Sequence, residues 1–327
     1  MEYRNLGRTG LKVSDFCLGC MTFGLGSDEE ESRRIIDRAL DAGVNFLDTA
    51  NIYANGVSEE IVGRALKGRR DEIVLTSKFH YPMGDDDPNH RGSSRKNIFR
   101  SVEESLRRLQ TDYIDLYQAH ALDYSTPLEE TLGALDDLVH QGKVRYIGCS
   151  NYSSWILTKA LWVSDARRYV RFESIQPMYS LLARHIESEL LPLCSDQGIG
   201  VIVYNPIAGG LLTGKYQFDQ SPPQDTRFGH EALSEVYQDR YWHQGNFDAV
   251  ERLSSIAREH ELTLLELALN WVRANATVSS AIVGARTLEQ LEQNLAAWGK
   301  DLPEEVFSAC DEVWPSIKAI APDYFRE

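Results

Sequence analysis

The chain has little positive charge. It carries 34 lysines and arginines against 49 aspartates and glutamates, which gives a formal net charge of −15. Phosphate backbones and anionic membranes require a basic surface, so binding to either is disfavoured. No apolar run reaches the roughly 18 residues of a spanning helix, and the first residues, MEYRNLGRTG, lack the apolar segment of a secretory signal. We therefore predict a cytoplasmic protein with no membrane and no nucleic-acid partner.

Cysteine is also scarce. The five cysteines are an odd and low number, which indicates reduced thiols rather than a disulfide framework. Cys17 and Cys20 form a C-x-x-C pair, but they lie in an apolar run typical of a strand, where residues three apart point to opposite faces. A redox pair usually begins a helix, and a zinc site needs a second pair. We interpret both cysteines as packing residues and expect no metal site.

Short apolar runs recur along the chain and predict eight strands. They occupy residues 16–20, 44–47, 73–77, 113–119, 144–149, 172–176, 200–204 and 279–283. Segments with helical periodicity lie at 28–42, 57–67, 94–109, 128–141, 153–168, 186–197, 247–275, 287–298 and 303–314. Such alternation forms a closed barrel or an open doubly wound sheet. The spacing of Gly19, Gly24 and Gly26 does not match the dinucleotide-binding fingerprint of the open sheet, so we predict a (β/α)8 TIM barrel.

Three further segments complete the predicted architecture, in which residues 1–327 form one domain. Residues 3–14 predict an N-terminal β-hairpin before the barrel. Residues 80–93 follow the third strand, and residues 205–246 form a long loop after strand 7. Loops of that length usually cover or bind a ligand, and both leave from the C-terminal ends of strands, which is the functional face of such a barrel.

Polar side chains follow consecutive strands. They are Asp48 with Tyr53 five residues later, Lys78, His120, Ser150, Asn151, Gln176 and Tyr204. Each one alone has a structural explanation, such as a helix cap, an ion pair or a satisfied core histidine. Because the C-terminal ends of parallel strands meet on one rim, we expect the group to form a cluster.

Three members of this cluster can act as one chemical unit. A phenol has a reference pKa of about 10, and a nearby ammonium lowers it. We expect Lys78 to lower the pKa of Tyr53, while Asp48 keeps the lysine charged and in place. His120 can orient a carbonyl oxygen beside them. The unit predicts proton transfer near neutral pH. A metal-dependent hydrolase would need several converging imidazoles and carboxylates, which the strand positions of His80, His90 and His120 do not supply.

Longer motifs run through the chain in a fixed order. They are LGRTGLKVS at 6–14, MTFG at 21–24, GVNFLDTA at 43–50 with Tyr53 after it, Ser77-Lys78, GCSN at 148–151, Gln176 through Tyr179-Ser180, and GGLLTGKY at 209–216. In these motifs the chain resembles the aldo-keto reductases nearly from end to end. The similarity is greatest to their longer bacterial and potassium-channel-β-like branch.

The resemblance implies an NADP-dependent oxidoreductase that reduces aldehyde or ketone carbonyls to alcohols. Tyr53 would donate the proton, Asp48 and Lys78 would tune it, and His120 would lie in the carbonyl pocket. The implied cofactor residues are Ser150, Asn151 and Gln176 at the nicotinamide carboxamide, Tyr204 on its ring, Gly210, Leu211 and Lys215 over the pyrophosphate, and Gly284, Arg286, Gln290, Gln293 and Asn294 at the adenosine. Arg286 beside a helix N-terminus suits a 2′-phosphate, which favours NADPH over NADH.

Two features leave alternatives open. Asn205 and Ile207 replace the small hydroxyl residue and the leucine that usually follow the ring-stacking position in the family. The resemblance also allows an NADPH-binding regulatory subunit similar to the channel β-subunits. The expected partner is a small-molecule carbonyl substrate whose identity the sequence does not specify, and a homo-oligomer remains open.

Overall fold

Eight parallel strands close into a barrel in the computed structural model, which describes residues 1–84 and 87–322. An antiparallel hairpin precedes it, formed by β1 (Tyr3–Asn5) and β2 (Lys12–Ser14). The barrel strands are β3 (Phe16–Gly19), β4 (Phe46–Asp48), β5 (Val74–Phe79), β6 (Ile114–Ala119), β7 (Val144–Ser150), β8 (Phe172–Gln176), β9 (Gly200–Val203) and β10 (Val278–Gly284). The closed order is β10-β3-β4-β5-β6-β7-β8-β9. The predicted (β/α)8 barrel with an N-terminal hairpin is confirmed.

Helices surround the barrel. They are α1 (Glu29–Asp41), α2 (Val57–Ala65), α3 (Arg95–Leu109), α4 (Leu128–His140), α5 (Ser154–Arg167), α6 (Leu190–Gln197), α7 (Ser234–Tyr241), α8 (Gln244–Glu259), α9 (Leu264–Arg273), α10 (Leu288–Ala297) and α11 (Glu304–Ile317). Among the described residues, none of these helices is long and apolar enough to cross a membrane.

Two predicted segments differ from the structure. The helical segment 247–275 is two helices, α8 and α9. Glu261 takes a left-handed conformation with φ +55° between them, and Thr263 and Glu266 form a capping box that starts α9. The long loop 205–246 contains a 3-10 segment (Ala208–Thr213), helix α7 and the start of α8.

Some predicted positions lie outside the described residues. They are 85 and 86 in the loop 80–93, and 323–327 at the end of the proposed domain 1–327. That residues 1–327 form one domain stays a prediction.

The hairpin closes one end of the barrel. Leu6 and Val13 are fully buried in a cluster with Phe46, Val74 and other inward-facing strand residues. Gly7 allows this close approach, because a Cβ there would lie 2.4 Å from the backbone oxygen of Gly198, and its φ is +56°. With that end closed by apolar side chains, the open end is the one where the strands terminate.

Strand alternation decides which side chains face the interior. Phe46 and Val74 belong to the inner cluster, whereas the next residues, Leu47 and Leu75, pack against the helices. Side chains two apart along a strand share a face, so Asp48 at the end of β4 and Lys78, the fifth residue of β5, also face inward. The candidate site begins at these two residues.

Candidate active site

Lys78 is fully buried and uses all of its donors. Its Nζ donates to Asp48 Oδ2 at 2.6 Å, to the backbone oxygen of Thr49 at 2.9 Å and to the Tyr53 hydroxyl at 3.2 Å. An ammonium has three N–H groups, so each one is satisfied, as a charge without access to water requires. The structure therefore joins the predicted Asp48, Lys78 and Tyr53 into one hydrogen-bonded unit.

A strained turn holds Tyr53 above this lysine. Tyr53 begins a 3-10 segment in which Ala54 and Asn55 have φ of +48° and +53°, and Gly56 has +93°. Left-handed conformations of non-glycine residues cost energy and persist only where the surroundings enforce them. The same rim of the barrel holds further examples at His80, Asn151, Asn205 and Ala208. The strain is concentrated where the strands end.

The second oxygen of Asp48 is also bonded. Gln176 Nε2 donates to Asp48 Oδ1 at 2.8 Å, although β8 lies across the barrel from β4. Asp48 is 2% exposed and has both oxygens occupied, by Lys78 and Gln176. The carboxylate therefore has a defined orientation on which the position of Lys78 depends.

The pKa of Tyr53 corrects one expectation. Burial raises this pKa to about 12, although Lys78 acts to lower it. The ammonium is less effective than the sequence indicated because Asp48, which it contacts, opposes it. Tyr53 is therefore a protonated phenol at neutral pH, which suits a proton donor.

His120 lies on the other side of the tyrosine. The two ring centroids are 5.8 Å apart at an interplanar angle of 83°. Burial lowers the pKa of His120 well below its usual value, and the charge of Lys78 lowers it further. Its Nδ1 is buried, and no described residue bonds to it. His120 is therefore a neutral imidazole that can hydrogen-bond to an oxygen without adding a positive charge.

Ser150, Asn151 and Tyr204 form a second network beside the first. Asn151 Nδ2 donates to the His120 backbone oxygen and to Ser150 Oγ, each at 3.0 Å. The Tyr204 hydroxyl donates to Asn151 Oδ1 at 2.9 Å, and Ser150 Oγ donates to the Gln176 backbone oxygen at 2.7 Å. The ring of Tyr204 is thus held in place at the wall of the site.

A cavity of about 250 Å³ opens above these residues, and we call it the catalytic cavity. Its lining includes Asp48, Tyr53, His120, Ser150, Asn151, Gln176, Tyr204 and Gly284. A second cavity of about 330 Å³, the cavity extension, shares Ile207, Arg227 and Gly284 with it. The extension is lined by Gly210, Lys215, Arg286, Gln290, Gln293 and Asn294, among others. Apart from Lys78 and Leu211, the predicted catalytic and cofactor residues therefore border one elongated trough.

Leu211 is an exception. It is 1% exposed and belongs to the main hydrophobic core, so its side chain lines neither cavity. Its neighbour Gly210 does line the extension, with φ of +104°, a conformation that favours glycine. The segment presents backbone, rather than the leucine side chain, to the trough.

The far end of the trough has its own polar contacts. Arg286 Nη2 lies 3.1 Å from Asp225 Oδ2, a carboxylate of the long loop. Gln290 Oε1 accepts a hydrogen bond from the Arg286 backbone N–H at 2.9 Å, while Thr287 caps α10. Gln290 is therefore engaged at the helix N-terminus, and Arg286 is one of three cations, with Lys215 and Arg227, that line the extension.

Sequence reasoning missed several lining residues. Arg227, Arg240, Tyr81 and Met21 line the catalytic cavity, and Asn205, noted only as a departure from the family, lines it too. For Arg240 a signal existed, because Leu233, Val236, Tyr237 and Arg240 follow the i, i+3, i+4, i+7 spacing of one helix face. That pattern was hidden in a segment interpreted as a loop.

Cys17 and Cys20 lie in separate hydrophobic clusters, as their opposite strand faces predicted. Both thiols are fully buried, and burial raises the pKa of each well above its usual value. Neither is therefore a thiolate at neutral pH. Within residues 1–84 and 87–322, no three His, Cys, Asp or Glu side chains converge to hold a metal ion.

The chain is similar to known proteins over nearly its whole length. The model of the Aldo/keto reductase family matches residues 15–315. The chain is 40% identical to an uncharacterized oxidoreductase, YrpG, of Bacillus subtilis, over 99% of both chains. It is 39% identical to a probable voltage-gated potassium channel subunit beta of Arabidopsis thaliana, over 91% of each chain. It is 34% identical to L-glyceraldehyde 3-phosphate reductase of Escherichia coli, over 91% of this chain and 87% of that one.

Proposed function

The chain belongs to the aldo/keto reductase family, and from that premise we propose that it reduces aldehyde or ketone carbonyls to alcohols with NADPH. The observation that carries the proposal is the Tyr53 hydroxyl, which lies 3.2 Å from the fully buried Lys78 ammonium. Tyr53 lines a cavity that continues as a trough toward Arg286, and Lys78 lies buried behind the tyrosine. The trough gives room for an extended cofactor along one side and a small substrate at the tyrosine.

Tyr53 is the proton donor in this proposal. In reduction, a hydride adds to the carbonyl carbon and a proton adds to the oxygen. The Tyr53 hydroxyl faces the catalytic cavity and is protonated at neutral pH, because burial raises its pKa to about 12. As the proton leaves, negative charge develops on the phenolate oxygen, and the Lys78 ammonium lies within hydrogen-bond distance to stabilise it. The stabilisation grows during the reaction, which is the condition for catalysis.

His120 orients the substrate in the same step. A neutral imidazole beside Tyr53 can hydrogen-bond to the carbonyl oxygen and hold it toward the phenol. Tyr81 packs edge-on against His120, with ring centroids 5.0 Å apart, and Tyr237 lines the opposite helical wall. These rings shield the reacting oxygen from bulk water.

The residues of the trough fit a nicotinamide dinucleotide, which would supply the hydride when bound. Gln176 Oε1 and the Tyr204 ring face the catalytic cavity, where they suit a carboxamide and a flat ring. In the described part of the chain, no donor reaches Gln176 Oε1, so it is open to an amide N–H. Lys215, Arg227 and the backbone at Gly210 border the middle of the trough, where a diphosphate needs cations and N–H groups.

The far end of the trough supports NADPH over NADH as the cofactor. Arg286 lines the extension next to the N-terminus of α10, so a 2′-phosphate there would gain a charge-assisted contact and a favourable helix dipole. Asp225 already pairs with Arg286, and the phosphate would compete with this exposed carboxylate. An exposed pair contributes little stability, so the exchange favours the phosphate.

A second candidate is a cofactor-binding regulatory subunit. The observation in its favour is the 39% identity to a probable channel subunit beta from a plant. Both candidates use the same trough, and they differ in turnover rate and in the presence of a protein partner. The complete Asp48, Tyr53, Lys78 and His120 arrangement favours the enzyme.

A substrate panel tests the proposal. The purified protein is mixed with NADPH and with aldehydes, keto-sugars, quinones and keto-steroids, and the loss of NADPH absorbance is followed. We expect multiple turnovers with at least one aldehyde class, and none in Tyr53→Phe. Tight NADPH binding with less than one turnover per protein, combined with recovery of a membrane partner, would favour the regulatory subunit.

A further inference from the structure

Helix α7 presents one chemically mixed face to the catalytic cavity. Leu233, Val236, Tyr237 and Arg240 all line it, and their spacing places them along one side of the helix. The two carboxylates of α7, Glu235 and Asp239, are exposed and do not line the cavity. The helix thus turns its only cation inward and its acidic residues outward.

Arg240 has no counter-charge in the described part of the chain. No carboxylate pairs with it, and no acceptor there hydrogen-bonds to it. Its electrostatic neighbours are the side chains of Tyr204, Tyr241, Tyr237 and Tyr81, none of which is a carboxylate. Burial lowers the pKa of Arg240, but the interactions with these tyrosines outweigh burial and raise the pKa above its usual value, so the guanidinium stays charged. A half-buried cation without an anionic partner is unfavourable unless a ligand supplies the opposite charge.

Asn205 supplies a second, independent observation. Its side chain is 8% exposed and lines the same cavity. Its amide lies beside Tyr241, but no acceptor in the described part of the chain meets its Nδ2 with hydrogen-bond geometry. Its Oδ1 accepts a hydrogen bond from the Tyr237 hydroxyl at 3.3 Å, and Tyr237 lies one helical turn before Arg240. Leaving a buried amide N–H without an acceptor is unfavourable, so the Asn205 amide also indicates a missing acceptor.

The position of Arg240 separates it from the cofactor. Arg227 lines both the catalytic cavity and the extension, as a contact to the diphosphate requires. Arg240 lines only the catalytic cavity, which it shares with Tyr53 and His120. Of the described residues lining this cavity, Asp48, Arg227 and Arg240 carry a full charge, and Asp48 is paired with Lys78. Arg240 is therefore a cation in the catalytic cavity that is available to bind the substrate.

From these observations we infer that the substrate is an aldehyde or ketone carrying an anionic group, a carboxylate or a phosphate, which Arg240 and the Asn205 amide bind. The inference rests on the proposed carbonyl reductase activity and narrows its substrate class. Leu233 and Val236 would contact the carbon skeleton between the anion and the carbonyl. The binding contact is the same before and during hydride transfer, so it lowers KM more than it raises kcat.

Two matched substrate pairs test the inference. Succinic semialdehyde is compared with its methyl ester for a carboxylate, and glycolaldehyde phosphate with glycolaldehyde for a phosphate. In the parent protein, we expect kcat/KM at least about 10-fold higher for the anionic member of one pair, and the pair that responds identifies the anion. Equal values, or a preference for the neutral member in both pairs, would overturn the inference.

Variants then assign the preference to Arg240. Arg240→Met should lower the anionic-to-neutral ratio of kcat/KM by about 10- to 100-fold, the range expected for a charge-assisted contact. Arg240→Lys should retain part of the ratio. The matched control is Arg258→Met, which removes one exposed positive charge from the neighbouring α8 without touching the catalytic cavity. If the ratio fell equally in the control, the preference would come from the overall charge of the protein, and the inference that Arg240 binds the anion would be wrong.

Binding separates this inference from the reductase proposal. Succinate carries carboxylates but no aldehyde, so it can bind without being reduced. It is titrated calorimetrically into the NADPH-loaded parent and into NADPH-loaded Arg240→Met. Binding that depends on Arg240, without turnover of any carbonyl, would support the anion site and reject the reductase. Turnover of the methyl ester without any anion preference would support the reductase and reject the anion site. A melting curve confirms that each variant is folded.

Discussion

Gln176 and Asp48 are joined by a 2.8 Å hydrogen bond across the interior of the barrel, although they lie 128 residues apart in the chain. β4 and β8, which carry them, are separated by four steps in the closed strand order. Asp48 in turn orients Lys78 below Tyr53. The proposed nicotinamide end and the proposed proton-donor end of the site therefore share one network.

The first prediction concerns this cross-barrel bond. Gln176→Leu removes the donor from a buried carboxylate oxygen, so we expect the free energy of unfolding to fall by about 1–3 kcal/mol. The double variant with Asp48→Asn should lose less unfolding free energy than the sum of the two single variants, because both substitutions act on the same hydrogen bond. Urea denaturation measures all four proteins. Gln197→Leu, at an exposed glutamine, is the control. Strict additivity would contradict the coupling.

The second prediction concerns proton donation. Tyr53→Phe should lower kcat on the best substrate by about 10²–10⁴-fold, the contribution of a positioned acid, while NADPH binding changes little. Lys78→Met should also be severe, because it removes the cation that stabilises the phenolate and leaves Asp48 without its partner. Stopped-flow kinetics measures turnover, and fluorescence titration measures NADPH binding, so a loss of chemistry is distinguished from a loss of cofactor binding.

The control for this change is Tyr124→Phe, which removes a hydroxyl from a tyrosine that is 73% exposed. It should turn over like the parent. A folded Tyr53→Phe protein with near-normal kcat would show that the proton comes from another group.

The third prediction concerns pH. Reduction needs protonated Tyr53, which is fully populated below its pKa and is lost as the pH rises through about 12. His120 has a pKa well below its usual value, so it stays neutral on the acidic side of neutrality. We expect kcat/KM for reduction to stay flat from about pH 6 to about pH 9. A descending limb near pH 7 would mean that the pKa of the donor is far lower than burial makes it here.

The fourth prediction concerns the cofactor. Arg286→Ala should weaken NADPH binding by about 1.5–3 kcal/mol and affect NADH little, because only NADPH carries the 2′-phosphate. Asp225→Asn should tighten NADPH binding, because it removes the carboxylate that competes for Arg286. Fluorescence titration gives the dissociation constants, with Arg258→Ala as the control. Equal losses for both cofactors would exclude contact between Arg286 and the phosphate.

Much of the barrel could be predicted from the sequence, because strand and helix periodicity are local properties. Strand β8 was placed at its observed bounds, and the other seven barrel strands within one or two residues. The boundary inside 247–275 was missed because both α8 and α9 are amphipathic, and only the capping box at Thr263 separates them. Helix α7 was missed because its apolar positions are few and lie in an aromatic-rich stretch.

The order of the polar groups at the strand ends is enough to predict that Asp48, Lys78, His120 and Gln176 lie on one rim, because parallel strands all end there. The tertiary structure decided their energetics. Only barrel closure brings Gln176 to Asp48, and only burial shows that the pKa of Tyr53 rises rather than falls. Likewise Arg240 lies in the catalytic cavity, with no charged partner among residues 1–84 and 87–322, because α7 folds back over the barrel, and no local pattern encodes this long-range arrangement.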